Sequence, residues 1–137
     1  MDGQGKKILV AEDYANNRNL LALLLEQERY EVHLVADGYE ALERMFKGVF
    51  DAVITDWDMP RLKGADFLTL SRILWPKTPV IIVSDHASFL QRDFIEEPSH
   101  GLKKPYGSEE PLQTLQTAVQ TAAHRHREQS ITTTLLP

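Results

Sequence analysis

An aspartate stands in this chain at a place where folding alone does not require one. The run FDAVIT (50–55) is typical of a buried β-strand, and it leads into Asp56, Trp57, Asp58 and a turn stopped by Pro60. Parallel-sheet proteins place their chemistry at the carboxyl ends of such strands. Asp56 is therefore the first candidate for a functional residue, because its carboxylate can act as a nucleophile or bind a metal ion.

Four more polar side chains follow apolar runs in the same way. Glu12 and Asp13 come after the first run, Ser84 ends the fourth, and Lys104 follows the fifth. Taken alone, each is more often a helix cap or a solvated charge. Together with Asp56 they stand at the ends of four strands, and this joint placement predicts a shared site.

These groups suit phosphoryl chemistry. Three carboxylates in one cleft repel each other unless a cation is present, and an all-oxygen site open to water suits Mg²⁺, with Mn²⁺ as an alternative. An aspartate that attacks a phosphoryl donor needs this repulsion screened and needs counter-charge on the transferred oxygens. Lys104 offers that charge, and Ser84 offers a hydroxyl donor.

Strands and helices alternate along the chain and must position these groups. Apolar runs predict strands at 6–11, 31–36, 50–55, 79–84 and about 101–103. Amphipathic stretches predict helices from a cap at Asn16 or Asn17 to about Glu28, from the turn at Asp37-Gly38 to Gly48, from Gly64 to about Leu74, from about Ser88 to Glu97, and from Ser108 to about His126.

A strand–helix unit repeated five times predicts an α/β fold, because each parallel connection needs a crossover. We expect a flavodoxin-like (βα)5 three-layer sandwich with a five-stranded parallel sheet of order 2-1-3-4-5. Strands one and three are then neighbours, which brings Glu12, Asp13 and Asp56 to one mouth of the sheet.

The bulk properties narrow the classes of function. The 137 residues fit one domain, and 42% hydrophobic with 26% charged residues is typical of a soluble globular protein. The net charge of −5 argues against a broad nucleic-acid surface, and the lack of cysteine excludes disulfides and thiolate chemistry. We expect a cytoplasmic protein without signal peptide or membrane span, since no run approaches the ~20 apolar residues of a transmembrane helix.

The combined motifs resemble the receiver domain of two-component response regulators, in the CheY-like superfamily. The resemblance extends over about residues 6–126 and rests on Glu12-Asp13, Asp56 in DWDMPRLKG, Ser84 and Lys104-Pro105. Asn17-Arg18, YEV (30–32) and ADGYEAL (36–42) add to it, and the last two are similar to receivers of hybrid sensor kinases.

The resemblance implies a role for each acidic residue. Asp56 would accept a phosphoryl group from a sensor histidine kinase or a phosphotransfer domain. Glu12, Asp13 and Asp56 would hold Mg²⁺, and the backbone carbonyl of Asp58 would be a further ligand.

The resemblance also implies how the phosphoryl group is held. Ser84 would donate a hydrogen bond to it, Lys104 would pair with it, and a cis peptide bond would precede Pro105. The new charge would then repack the face made by the fourth helix, the fifth strand and the fifth helix.

The switch position departs from the family pattern. Its usual aromatic residue lies three places before the lysine, where this chain has Gly101. The family's usual coupling between the serine and this aromatic residue would then be absent, or His100 or Tyr106 would replace the aromatic residue.

A second departure follows the serine of strand four, where the family usually has a small residue and this chain has Asp85. Its carboxylate would slow the entry of a phosphodonor or face water.

Asp58 and His86 flank the site where the family tunes dephosphorylation. We expect Asp58, Asp85, His86 and Gly101 to act as modulators.

We expect a flexible N-terminus at 1–5, a receiver domain at 6–127, and a tail or the start of a linker at 128–137. Besides the kinase or phosphotransfer domain, the expected partners are a downstream protein target or an output domain outside this chain, and a second copy in a homodimer. No direct binding to nucleic acid or membrane is expected.

Two alternatives remain open from the sequence. One is a pseudo-receiver, a binding module that keeps the fold but is not switched by phosphorylation. The other is a phosphatase of the haloacid-dehalogenase type, whose Asp-x-Asp spacing Asp56 and Asp58 share, although that motif belongs after a first strand rather than a third.

Overall fold

Strands and helices alternate through the described residues, which in this computed structural model are 2–85 and 99–135. The strands are β1 (Lys7–Ala11), β2 (Glu31–Val35), β3 (Ala52–Asp56), β4 (Val80–Ser84) and β5 (Ser99–Lys103). The helices are α1 (Ala15–Gln27), α2 (Gly38–Lys47), α3 (Gly64–Leu74) and α4 (Glu109–Leu135). The helix predicted at 88–97 lies outside the described residues.

The five strands form one parallel sheet in the order β2-β1-β3-β4-β5. Its two faces carry separate hydrophobic clusters. α1 and α4 bury Leu25 and Leu115 in one cluster, and α2 and α3 bury Ala41 and Phe67 in the other. The predicted flavodoxin-like three-layer fold of order 2-1-3-4-5 is confirmed.

The two helices that flank the site begin differently. The predicted cap of α1 at Asn16 or Asn17 is wrong, because Tyr14 takes the extended cap conformation and no side chain caps this helix. Both asparagines fall in the first turn, since only three residues separate β1 from α1. α2 does have a side-chain cap, in which Asp37 accepts a 2.8 Å hydrogen bond from the backbone N–H of Glu40.

The last helix is longer than its sequence pattern predicts. α4 continues to Leu135, past the predicted end near His126. The basic residues there are typical of a last turn, but no glycine or proline follows them before Pro137, so nothing in the sequence stops the helix. Among the described residues, none of the helices is both long and apolar enough to cross a membrane.

Candidate functional site

Four strand ends bring the candidate side chains to one edge of the sheet. Asp56 is the last residue of β3 and Ser84 the last of β4, while Glu12 and Lys104 directly follow β1 and β5. The parallel register keeps these strand ends level. Groups far apart in the sequence therefore meet in one cleft.

Three carboxylates form the floor of this cleft. Glu12, Asp13 and Asp56 each offer a carboxylate oxygen, and these oxygens lie within 4.8 Å of one another. The three environments differ, since Glu12 is buried, Asp56 is partly buried and Asp13 is exposed. Glu12 Oε2 is buried and has no hydrogen-bond partner within the described part of the chain. Such an atom needs a counter-ion or a donor.

Lys104 supplies the positive charge of the cleft. Its Nζ lies 3.1 Å from Asp56 Oδ2 and 3.4 Å from Glu12 Oε1. Its backbone N–H donates a 2.8 Å hydrogen bond to the carbonyl of Ser84, which fixes the lysine above the end of β4. The peptide bond between Lys104 and Pro105 is cis, as the resemblance implied.

The crowding of charge shifts the ionisation of this cluster. Burial, and then the neighbouring Glu12 carboxylate, raise the pKa of Asp56 to about 7 against the opposing effect of Lys104. Burial also acts to raise the pKa of Glu12, but the Asp56 carboxyl and the Lys104 charge outweigh it, so the pKa of Glu12 is lowered. Without a cation, the pair of carboxyl groups therefore favours one shared proton over two full negative charges.

Gly64 is a site residue whose role the sequence did not reveal. It begins α3, and its backbone N–H donates a 2.9 Å hydrogen bond to the carbonyl of Trp57. A Cβ atom at this position would lie 2.5 Å from the Asp56 carbonyl oxygen and 2.9 Å from Trp57 Cα. Only glycine lets α3 pack this closely on the backbone next to Asp56. The feature of the sequence that could have indicated this role is the glycine at the end of DWDMPRLKG.

The start of α1 and the segment after β5 complete the walls. Asn17 and Tyr106 line a small cavity together with Glu12, Asp56 and Lys104. Asn17-Arg18 and Tyr106 are visible in the sequence pattern, which does not predict their contacts in the cleft. Arg18 Nη1 donates a 2.9 Å hydrogen bond to the backbone carbonyl of Glu12. This bond ties α1 to the end of β1.

The remaining candidates lie at different depths. Ser84 is buried, whereas the side chains of Asp58 and Asp85 are exposed. Asp85 lines a cavity of about 510 Å³ together with Lys104, and this cavity extends along α1 from the cleft. Gly101 is exposed and pairs with Ile82 of β4. His86 lies outside the described residues.

The donor set fits a hard divalent cation. Clustered carboxylate oxygens are the kind of ligands that Mg²⁺ prefers, and one of them, Glu12 Oε2, has no hydrogen-bond partner among residues 2–85 and 99–135. The described residues of the cluster offer no sulfur or imidazole ligand, so nothing in it favours Zn²⁺. The cluster can therefore combine a carboxylate nucleophile, a cation and a lysine in one cleft.

Comparisons with known proteins identify the same group of proteins by sequence and by fold. A family model described as "Response regulator receiver domain" matches residues 8–116. Protein-glutamate methylesterase/protein-glutamine glutaminase 1 of Myxococcus xanthus is 38% identical in an alignment of 105 residues, and the match covers 68% of this chain and 30% of that protein. The chain spans less than half the length of the curated relatives it matches.

Two solved structures are similar over most of the chain. Chemotaxis response regulator CheY4 of Vibrio cholerae gives a TM-score of 0.76 at 30% identity, covering 82% of this chain and 98% of that one. The receiver domain of sensor histidine kinase PA1611 from Pseudomonas aeruginosa, solved with magnesium coordinated in its active site cleft, gives 0.74 at 28% identity, covering 85% and 98%. With its fold, its acidic cleft and the match to the family model, this chain belongs to the response regulator receiver domains.

Proposed function

We propose that this receiver domain takes a phosphoryl group from a sensor histidine kinase or a phosphotransfer domain onto Asp56, with Mg²⁺ as cofactor. One observation carries the proposal, namely that Lys104 Nζ lies within 3.4 Å of both Asp56 and Glu12 in a cleft with a third carboxylate. A cation site next to a lysine is the arrangement that phosphoryl transfer needs around a nucleophile.

In this proposal Glu12, Asp13 and Asp56 bind Mg²⁺ through their carboxylates, and the backbone carbonyl of Asp58 is a further ligand. Mn²⁺, which has similar oxygen chemistry, is a permitted substitute. The bound cation neutralises charge on the carboxylates and on the phosphoryl oxygens. The magnesium in the cleft of the Pseudomonas aeruginosa receiver supports this assignment.

The chain's own residues then carry the transfer. An Asp56 oxygen attacks phosphorus while the bond from phosphorus to the donor's imidazole nitrogen breaks, so an acyl phosphate forms and the imidazole keeps the electron pair. Lys104 pairs with the transferred oxygens, and Ser84 donates its hydroxyl to one of them. The result is a local charge change, which biases the packing next to the cleft.

The four modulators act around this step. Asp58 and His86 tune the approach of the hydrolytic water, and the exposed Asp85 carboxylate repels anionic donors at the mouth. Gly101 has no ring to swing inward, whereas Tyr106 offers an aromatic side chain that lines the cleft. The output therefore does not depend on an aromatic residue at position 101.

We assign 1–5 to an N-terminal segment, 6–127 to the receiver domain and 128–137 to a tail or the start of a linker. The N-terminal segment, expected to be flexible, is held by hydrogen bonds from the backbone N–H groups of Gly3 and Gly5 to the carbonyls of Glu28 and Arg29. Because α4 runs across the boundary at 127, such a linker begins as a helix. We propose a cytoplasmic domain that acts through a protein target or an output domain, with homodimer formation as one route and without direct contact to nucleic acid or membrane.

The test is intact-mass analysis after incubation with acetyl phosphate and Mg²⁺. We expect one phosphoryl adduct, which is lost in Asp56→Asn and in the presence of a chelator. Asp66→Asn, which changes an exposed aspartate in the first turn of α3, is the matched control and should keep the adduct.

Other outcomes point to the alternatives. No adduct with any donor would overturn phosphoryl capture and favour a pseudo-receiver. Repeated turnover of generic phosphate esters would favour a phosphatase of the haloacid-dehalogenase type.

A further inference from the structure

The loop after Asp56 contains an unusually tight turn. The N–H of Leu62 donates a 2.8 Å hydrogen bond to the carbonyl of Pro60, which closes a three-residue turn around Arg61. Arg61 has a φ of 70°, in the left-handed region that favours glycine. A γ-turn with positive φ is rare and strained, and it persists only where the surroundings hold it.

The Arg61 side chain is held by two residues at the start of α2. Its Nη1 lies 3.4 Å from Asp37 Oδ2, and its guanidinium carbon lies 5.0 Å from the centre of the Tyr39 ring. Asp37 is buried and uses its other oxygen, Oδ1, to accept the hydrogen bond from Glu40 that caps α2. The two oxygens of Asp37 thus have separate partners.

The backbones of the two segments also touch. A Cβ atom on Gly38 would lie 2.9 Å from Leu62 Cβ and 3.0 Å from the Leu62 carbonyl carbon, so α2 packs directly on the loop. At the other end of the loop, Gly64 packs on the backbone of Trp57. Asp58 lies between these two fixed points, on the stretch whose course the turn at Arg61 sets.

We propose that Arg61 is a positioning residue, which through Asp37 and Tyr39 holds loop 57–63 in the strained form that offers the Asp58 carbonyl to Mg²⁺. This inference rests on the proposed function, since it concerns the same cation site. It assigns α2 a part in cation binding although the residues of α2 itself are not ligands. We name the contacts of Arg61 with Asp37 and Tyr39 the α2 clamp.

The clamp and the strain can be separated by two substitutions. Arg61→Ala removes the clamp and keeps a side chain that disfavours positive φ, whereas Arg61→Gly removes the clamp and the strain together. If the clamp positions the loop, both variants bind Mg²⁺ more weakly, by about three- to tenfold for the loss of an exposed ion pair and a cation–π contact. Only Arg61→Ala should also unfold at a lower temperature.

Arg29 provides a matched control. It has a φ of 69°, an exposed side chain and an ion pair to Asp2 at 3.1 Å, and it precedes β2 at the edge of the sheet opposite the cleft. As at position 61, Arg29→Ala should unfold at a lower temperature than Arg29→Gly. Neither Arg29 variant should change the affinity for Mg²⁺. If Arg61 had a purely structural role, its variants would bind Mg²⁺ as tightly as the Arg29 variants do.

The partner side of the clamp can be tested without loss of the helix cap. Asp37→Asn keeps an Oδ1 acceptor for Glu40 and removes the charge that pairs with Arg61. In calorimetric Mg²⁺ titrations at pH 8, Asp37→Asn and Arg61→Ala should weaken binding to a similar extent, and the double variant should be little worse than either. Tyr39→Phe, which keeps the ring, should bind like the unaltered protein.

The outcomes separate the two proposals. If the unaltered protein binds Mg²⁺ and the Arg61 variants bind it equally well, the clamp is overturned and the proposed function stands. If Asp37→Asn and Arg61→Ala have additive effects, the two residues act independently and the clamp is again overturned. If the unaltered protein neither binds Mg²⁺ nor takes up phosphate, both proposals fall.

Discussion

Lys104 and Asp56 form an ion pair although their strands are not neighbours. Asp56 ends β3 and Lys104 directly follows β5, and β4 lies between these two strands in the sheet. Lys104 Nζ nevertheless lies 3.1 Å from Asp56 Oδ2, because the lysine follows the end of β5 and its backbone is bonded to the end of β4 at Ser84. The distance between these two side chains therefore depends on how β3, β4 and β5 are aligned.

Removing the lysine should destabilise the protein when no metal is bound. In Lys104→Ala, the buried Glu12 and the partly buried Asp56 lose their positive partner, which should lower the free energy of unfolding by about 1–3 kcal/mol at pH 8. Urea unfolding measures this loss, and Lys103→Ala, at the exposed neighbouring position, is the control. An unfolding midpoint equal to that of Lys103→Ala would show that the pair contributes nothing.

The pKa of Asp56 predicts how stability depends on pH without a cation. In the folded chain burial and the neighbouring Glu12 raise its pKa to about 7 from the ordinary aspartate value of 3.8. Between these values the folded state keeps a proton that the unfolded state has lost, so stability should fall as the pH rises from about 4 to about 7 and then level off.

Asp56→Asn should remove that part of the pH dependence. The variant lacks the titrating carboxyl, so it should be more stable than the unaltered protein at pH 8, by about 1–3 kcal/mol. Chemical unfolding across this pH range in the presence of a chelator measures the effect, with Asp66→Asn as the control. Equal slopes in Asp56→Asn and the unaltered protein would contradict a raised pKa at this residue.

Mg²⁺ should stabilise the folded state, because it binds the folded chain and not the unfolded chain. At a concentration of about 100 times the dissociation constant, the gain is about 2.7 kcal/mol, which thermal unfolding detects as a higher midpoint. The gain should be smaller at pH 6 than at pH 8, because a proton on Asp56 competes with the cation. Glu12→Gln should lose most of this response. A response that is equal at both pH values would argue against Asp56 as a ligand.

Gly64→Ala should displace the backbone that carries Asp56 into the cleft. Its new methyl group meets the Asp56 carbonyl oxygen and the Trp57 backbone, which are parts of the main chain and cannot move aside freely. We expect a loss of about 1–3 kcal/mol in the free energy of unfolding and slower uptake of phosphate from acetyl phosphate. Gly107→Ala is the control, since its nearest neighbour, Glu110 Oε1, is 3.8 Å away. Equal behaviour of the two variants would refute the close approach.

The sequence by itself determined the strand order and the placement of the main candidates. Apolar runs that alternate with amphipathic stretches predict parallel strands joined by crossovers, and an acidic residue after such a run must lie at the carboxyl edge of the sheet. Asp56, Glu12 and Lys104 are found there because their position depends only on where each strand ends.

The tertiary structure decided what these residues touch. Sequence periodicity does not reveal that Glu12 is buried while Asp13 is exposed, or that Asn17 faces the cleft instead of capping α1. The close approaches of Gly38 to Leu62 and of Gly64 to Asp56 join segments whose spacing is set by the packing of whole helices on the sheet. Local residue patterns fix which elements form, whereas contacts between elements depend on backbone distances that only the packed chain defines.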